Sequence, residues 1–277
     1  MTSVLYDAPG PRTRRRELIG SVVGGVLLLG LVAAGVVYAA GKGVFDADRW
    51  DVLYAPPKGQ TAADVWRFLL NGLAATLRAA AVAAPVAVAL GTALALLRTS
   101  RAAPVRAPAL VVIELFRGLP VLVMMFFGLL ALHLDPFTAV VFGLVVYNAA
   151  IVAEILRAGL AALPRGQSEA AAAIGLSRGQ ALASVLLPQA VRTMLPSLVA
   201  QMVVLLKDSS LGFIVGYAEL LKSVQNNAQY FGTRYFVALF VVGAAIYVVV
   251  NIALSRLAVG LQRRLSRPPG AARLTRP

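Results

Sequence analysis

The sequence predicts an all-α integral membrane protein with six transmembrane helices. Three observations carry that expectation. Of the 277 residues, 59% are hydrophobic and the mean hydropathy is +0.79, whereas soluble domains average about 45–50% on a count that also includes glycine. Apolar runs of roughly 20 residues, each long enough to cross the hydrocarbon core, recur along the chain. The net charge is +14, and the basic residues lie between the apolar runs instead of forming one patch, which favours membrane loops over a nucleic-acid surface. The chain has no cysteine, so disulfides, thiol catalysis and thiolate metal sites are excluded.

Residues 1–17 form a short basic segment with Arg12, Arg14, Arg15 and Arg16. Residues 18–40 are apolar and predict a first, added membrane helix; a cleaved signal peptide would have an apolar region of only about 7–15 residues. Residues 41–65 are hydrophilic, with Asp46, Asp48, Asp51 and Asp64 set against Lys42, Arg49 and Lys58, and Pro56-Pro57 stops any regular element there. The second span covers 66–97, with Pro85 as an expected kink, and Arg98, Arg101 and Arg106 follow it. Residues 110–132 predict a third span, His133-Leu134-Asp135-Pro136 a tight turn, and 137–156 a fourth span. The fifth span is expected over 191–206 and the sixth over 235–257, with an arginine-rich tail at 261–277. His133, the only histidine, reads as an interfacial turn residue.

Charge sets the orientation. With the amino terminus inside, residues 1–17, 98–108, 157–192 and 256–277 face the cytoplasm and hold 17 of the 26 basic residues, while the turn at 133–136 holds none. The opposite orientation would place most arginines outside, against the positive-inside bias. Both termini are therefore expected in the cytoplasm, residues 41–65 outside, and the polar interruption at 164–188 inside.

That interruption, PRGQSEAAAAIGLSRGQALASVLLP, reads as two short helices. Pro164 suits the start of the first, Ser168 is placed to cap it, and Glu169 puts a negative charge in its first turn, where the helix dipole favours one. Gly175 suits a left-handed turn that ends the helix. Ser177 and Gln180 form an S-x-x-Q capping box for the second helix, which Pro188 is expected to stop.

No G-x-x-x-x-G-K-[ST] phosphate loop occurs, so the chain is expected to bind no ATP itself. Gly175-Leu176-Ser177-Arg178-Gly179 spells G-x-S-x-G, but its flanks are helical and His133 falls across the membrane. Ser177 therefore reads as a helix cap, and no catalytic residue or metal site is expected. Ionisable groups at membrane depth are costly and usually face a partner or a pathway. Glu114 with Arg117, and Glu154 with Arg157, lie three apart on helical faces and predict two ion pairs that knit helices together near the cytoplasmic side. Arg78, in the outer part of the second span, and the polar break Lys207-Asp208-Ser209-Ser210 are candidates to line a translocation path, with Lys207 and Asp208 expected to pair. Unwound backbone at such a break is tolerated only where protein or a water-filled cavity surrounds it. Residues 215–230, amphipathic and rich in Gln and Asn, read as an outer gate, a contact for a soluble partner, or a plain connector. No repeat with matched broken helices is visible on the two sides of Pro136.

Glu169-Ala170-Ala171, three residues, Gly175, nine residues, Val185, one residue and Leu187-Pro188 resembles the EAA loop of binding-protein-dependent ABC importer permeases, with Val185 in the usual isoleucine position. Other stretches are similar to the polar amino-acid permeases of the histidine/glutamine/glutamate/arginine branch. These are Asn71-Gly72-Leu73 with Thr76-Leu77, Glu114-Leu115-Phe116-Arg117-Gly118-Leu119-Pro120, Tyr147-Asn148 with Ala153-Glu154-Ile155 and Arg157-Ala158-Gly159, and Leu206-Lys207-Asp208-Ser209-Ser210-Leu211. The resemblance covers residues 66 to about 260. Val4-Leu5-Tyr6-Asp7-Ala8-Pro9-Gly10-Pro11 and the added helix are similar to actinobacterial glutamate permeases.

The resemblance implies a MetI-like, type I ABC importer permease core of five helices plus one N-terminal helix, in a bacterial cell membrane. It implies a second homologous permease, identical or paralogous, across a pseudo-two-fold axis. It also implies two ABC ATPase subunits that hold ATP and Mg, docked on the cytoplasmic loop through Glu169, Ala170, Ala171, Gly175, Leu187 and Pro188. An extracytoplasmic binding protein would deliver an amino-acid substrate, with glutamate the one expected. No cofactor is expected on this chain and no nucleic-acid partner. An ion-coupled secondary amino-acid transporter is the alternative; it would need its own ion site and no ATPase.

Overall fold

A computed structural model describes residues 10–265, with side chains described through residue 260; the resemblance at residues 4–9 and most of the basic tail lie outside that range. Among the described residues all regular structure is helical. Helix α1 (Pro11–Gly41) opens on a proline, whose missing N–H costs nothing at a helix start. It begins ahead of the apolar run, so Arg12 to Arg16 ride on its first turns. None of its residues is buried.

The loop after α1 is more ordered than its composition promised. Two 3-10 turns, Ala47–Arg49 and Asp51–Leu53, bury Val52 completely in a cluster with Val65, Leu69, Leu220 and Tyr235. Tryptophan N–H groups fix the path, Trp50 donating to the Val44 carbonyl at 2.9 Å and Trp66 to the Leu53 carbonyl at 3.1 Å.

Helix α2 (Ala62–Arg98) has 37 residues and begins where the Asp64 carboxylate accepts from the Thr61 N–H at 3.0 Å and hydroxyl at 2.7 Å. Pro85 lies inside it without ending it. Its buried face carries Ala79, Ala80, Ala83, Ala87, Gly91 and Ala95, small side chains that let another helix come close. That neighbour is α5 (Pro136–Ala161), capped by Asp135, whose carboxylate accepts from the Phe137 and Thr138 N–H groups at 3.1 and 3.3 Å. More than half of the apolar stretch of α5, 56%, is buried, against 28% for α2, so α5 is the central helix.

The third span departs from the expected single helix. Helix α3 (Ala103–Gly118) and helix α4 (Val121–Phe126), continued by a π-helical turn at Phe127–Ala131, meet at 105°. Pro120 cannot donate an N–H and pushes Leu119 into extended backbone (φ −98°, ψ 139°), so the apolar run folds into two arms. The α3 arm sets Ile113 among Ala95, Val152 and Leu156, and the α4 arm sets Met125 against Gly143. Among the described residues, five helices are long and apolar enough to cross a membrane, or six when the bent pair counts as one span.

Helices α6 (Arg165–Ala173) and α7 (Arg178–Ala181) form the polar interruption. Pro188 does not stop the second of them. The chain runs from α7 through a π-helical turn at Leu182–Leu186 into α8 (Leu187–Asp208), where Pro188 occupies the first turn. The Leu187 N–H reaches the Leu182 carbonyl, and this wider turn accommodates a residue with no donor. The fifth span therefore starts well before residue 191. A 3-10 turn (Ser209–Phe213), α9 (Leu220–Phe231) and α10 (Phe236–Leu265) complete the fold.

Candidate functional site

The chemistry-bearing residues fall in three places. The first is the polar interruption. Pro164 takes the capping position of α6 (φ −58°, ψ 134°), the entry expected for it, so Ser168 lies inside the first turn and does not cap the helix. The Ser168 hydroxyl instead donates to the Arg165 carbonyl at 2.8 Å, and Glu169 falls in the second turn. Gly175 has φ +83° and turns the chain. The Ser177–Gln180 box closes as its spacing requires, at 2.9 and 3.4 Å. Within α6 only Ala171 is buried. Glu169 and Ala170 are exposed, Ile174 just beyond the helix is 76% exposed, Leu187 is half-buried and Pro188 exposed. The helix thus turns its small side chains and the following isoleucine outward and buries Ala171 alone.

The second place is a charge network. The two expected pairs, Glu114–Arg117 and Glu154–Arg157, merge into one cluster through Arg98, the residue that ends α2. Arg98 Nη1 lies 2.8 Å from Glu154 Oε2 and 3.6 Å from Glu114 Oε1. Arg117 Nη1 lies 3.5 Å from Glu114 and 3.4 Å from Glu154, and Arg157 Nη2 lies 2.6 Å from Glu154. The network ties the end of α2 to α3 and α5. Arg98 is the last residue of an apolar helix, level with the others, and that placement was the signal available for it.

The third place holds the path candidates, which the structure does not gather into one site. Lys207 and Asp208 do not pair among the described residues; consecutive residues on a helix point in different directions. Ser209 is fully buried and donates to the Leu206 carbonyl at 2.7 Å, and Ser210 donates to the Lys207 carbonyl at 2.8 Å. The Tyr247 hydroxyl of α10 reaches the Lys207 carbonyl at 3.0 Å, and Ser210, Glu219 and Tyr247 line a mostly apolar cavity of about 210 Å³. Arg78 lies in a different cavity with Asn71, Asp135 and Tyr217.

Three polar residues take structural roles that the sequence did not indicate. Asn148, fully buried on α5, accepts from Gln201 of α8 at 2.8 Å. Thr76 accepts from the Leu220 N–H at 3.2 Å, joining α2 to α9. Glu219 is fully buried and caps α9, accepting from the Leu221 and Lys222 N–H groups at 3.0 and 2.7 Å. Burial pushes its carboxyl up to about 7, partly offset by those two donors. Among 26 basic residues and a Gln/Asn-rich stretch, a single glutamate at a helix start carried little sequence signal beyond a possible cap.

Comparison with known proteins settles what kind of molecule this is. The family described as "Binding-protein-dependent transport system inner membrane component" matches residues 87–267. The chain belongs to that family. Over 234 residues this permease is 42% identical to "Glutamate transport system permease protein GluD" of Corynebacterium glutamicum, covering 82% of this chain and 83% of the relative. It is 33% identical over 210 residues to "Glutamate/aspartate import permease protein GltK" of Escherichia coli O157:H7, covering 71% and 93%. A solved structure titled "Crystal structure of an amino acid ABC transporter with histidines" matches with TM-score 0.66 and 32% identity, over 73% of this chain and 96% of that one. A methionine ABC transporter, MetNI, shares the fold at TM-score 0.59 and 20% identity, over 73% and 96%. The permease thus has the all-α, MetI-like type I importer fold and is a multi-pass inner-membrane subunit of an amino-acid ABC importer.

Proposed function

We propose that this permease forms the path of an ATP-driven, binding-protein-dependent importer for glutamate and couples the path to ATP hydrolysis through residues 164–188. The observation that carries the reading is α6, a short helix with its face exposed in a chain of this family. Glutamate as substrate rests on the printed names of the C. glutamicum and E. coli relatives.

In this account both termini and α6 face the cytoplasm, where two ATPase subunits carry ATP and Mg. Glu169, Ala170, Ala171 and Gly175 seat α6 in a groove of the ATPase, while Leu187 and Pro188 join it to the fifth span. A second homologous permease completes the path, and an extracytoplasmic binding protein delivers the amino acid. Closure of the ATPase pair pulls α6. The pull passes to α8 through the continuous α7–α8 backbone, then to α5 through the Asn148–Gln201 bond and to α10 through Tyr247. Arg78, Lys207, Asp208, Ser209 and Ser210 line the path, and the Arg98–Glu114–Arg117–Glu154–Arg157 network holds the helices as a body that moves together.

Reconstitution with the ATPase, partner permease and binding protein tests the reading. ATP-dependent uptake with glutamate preferred in an amino-acid panel is expected. Uptake driven by an ion gradient without the ATPase would replace this reading with a secondary transporter. D208A and S209A should each lower uptake while the complex still assembles; unchanged uptake in both removes those residues from the path.

A further inference from the structure

A cavity of about 600 Å³ opens between the amino-terminal half of α2, the turn before α5 and the backbone leading into α9, with Asn71, Arg78, Asp135, Phe137, Gly216 and Tyr217 in its wall. Its charges are unbalanced in a usable way. Asp135 is already engaged, because its carboxylate accepts from the Phe137 and Thr138 N–H groups and from the Thr138 hydroxyl. Arg78 forms no ion pair among the described residues. Its guanidinium carbon lies 4.7 Å from the centre of the Phe137 ring. Such a contact uses the positive charge and leaves the N–H donors available.

The support beneath Arg78 is built. The Phe137 and Tyr217 rings lie 5.7 Å apart, and the Tyr217 hydroxyl donates to the Ala75 carbonyl at 2.8 Å, one turn before Arg78. Asn71, two turns before Arg78 on the same helix face, adds an amide to the same wall. An unpaired guanidinium within an apolar span is stable only where water or a partner reaches it. Here a free cation and an amide face an open cavity whose own acid is spoken for, the arrangement that binds a carboxylate.

We propose that this cavity is a carboxylate-binding subsite at the outer end of the path, in which Arg78 and Asn71 hold a carboxylate of the substrate after it leaves the binding protein. The proposal rests on the importer reading above. Held there, the substrate is oriented before the path opens, so Arg78 is a substrate-binding residue and not part of the coupling machinery.

The test uses the complete complex in proteoliposomes, with glutamate and glutamine each loaded on the binding protein, and compares wild type, R78Q and R78K after assembly is verified. R78Q should lower the maximal glutamate uptake rate about tenfold, the size expected for losing a charged hydrogen bond. The half-saturating concentration set by the binding protein should not move, and R78K should recover much of the rate. A loss shared with glutamine assigns the α-carboxylate, and a loss confined to glutamate assigns the side-chain carboxylate; both support the subsite. An active wild type with R78Q at the same rate, or with R78K no better than R78Q, overturns the subsite and leaves the importer standing. A wild-type complex without ATP-driven uptake overturns the importer reading and the subsite with it.

Discussion

Gln189 Nε2 donates to the Gln167 side-chain oxygen at 3.1 Å and to the Val185 carbonyl at 3.0 Å, so one side chain of α8 holds the start of α6. The other end of α6 is held by the Gly175 turn. An element that transmits a pull needs both attachments. Q189A should leave folding intact, because an exposed hydrogen bond contributes only about 1 kcal/mol, yet lower the amount of substrate moved per ATP hydrolysed. G175A should add about 1–2 kcal/mol of backbone strain at φ +83° and lower that ratio further. Parallel uptake and ATPase assays measure it.

The charge network predicts an ordering of mutants. Glu154 meets three arginines and its side chain is 25% exposed, whereas Glu114 meets two and is 52% exposed. E154A should destabilise the detergent-solubilised protein by roughly 1–3 kcal/mol, because it takes the bonded carboxylate from Arg157 and leaves Arg98 and Arg117 with Glu114 alone. E114A should cost less than E154A. Thermal unfolding of both variants checks the order.

Glu219 predicts a pH dependence. Its folded carboxyl is raised from an ordinary 4.5 to about 7 by burial. A raised carboxyl contributes stability that is complete below the unfolded value and is lost as pH rises through the folded one. Wild type should therefore lose stability between pH 4.5 and about 7 relative to E219Q, which stays neutral. Melting temperatures of the two proteins across that range should diverge; parallel curves would contradict the assignment.

Packing of α2 on α5 depends on Gly91. A Cβ there would lie 2.6 Å from the Ala149 carbonyl oxygen and 2.7 Å from Val152 Cβ. G91A should cost about 1–3 kcal/mol by forcing the helices apart, and G91V more. Unfolding midpoints in detergent measure both.

Much of this fold was legible because membrane helices announce themselves by length and apolarity. The breaks were less legible. Pro120 lies within an apolar run and Pro188 at the edge of one, and the first folds the chain by 105° while the second is absorbed by a π-helical turn. The difference lies in the hydrogen bonding around each proline, not in the residue. Within the polar interruption, Gly175 and the Ser177–Gln180 box were readable because their chemistry is local. Ser168 was misread because Pro164 took the cap first. Arg98 and Gln201 could not be paired from sequence, since their partners lie 56 and 53 residues away. Glu219 became visible as a titratable group only once its burial was known.

The central claim is that α6 is an inward-facing handle worked by another protein. The chain has no cysteine, so A170C introduces a single thiol on the exposed face of α6. The decisive measurement is cross-linking of A170C to the ATPase subunit in membrane vesicles. The account predicts that the cross-link forms at the cytoplasmic face, changes in yield when ATP is bound, and stops uptake. A thiol that reacts only from the outer face, or a complex that pumps normally with no contact between A170C and the ATPase, would contradict it.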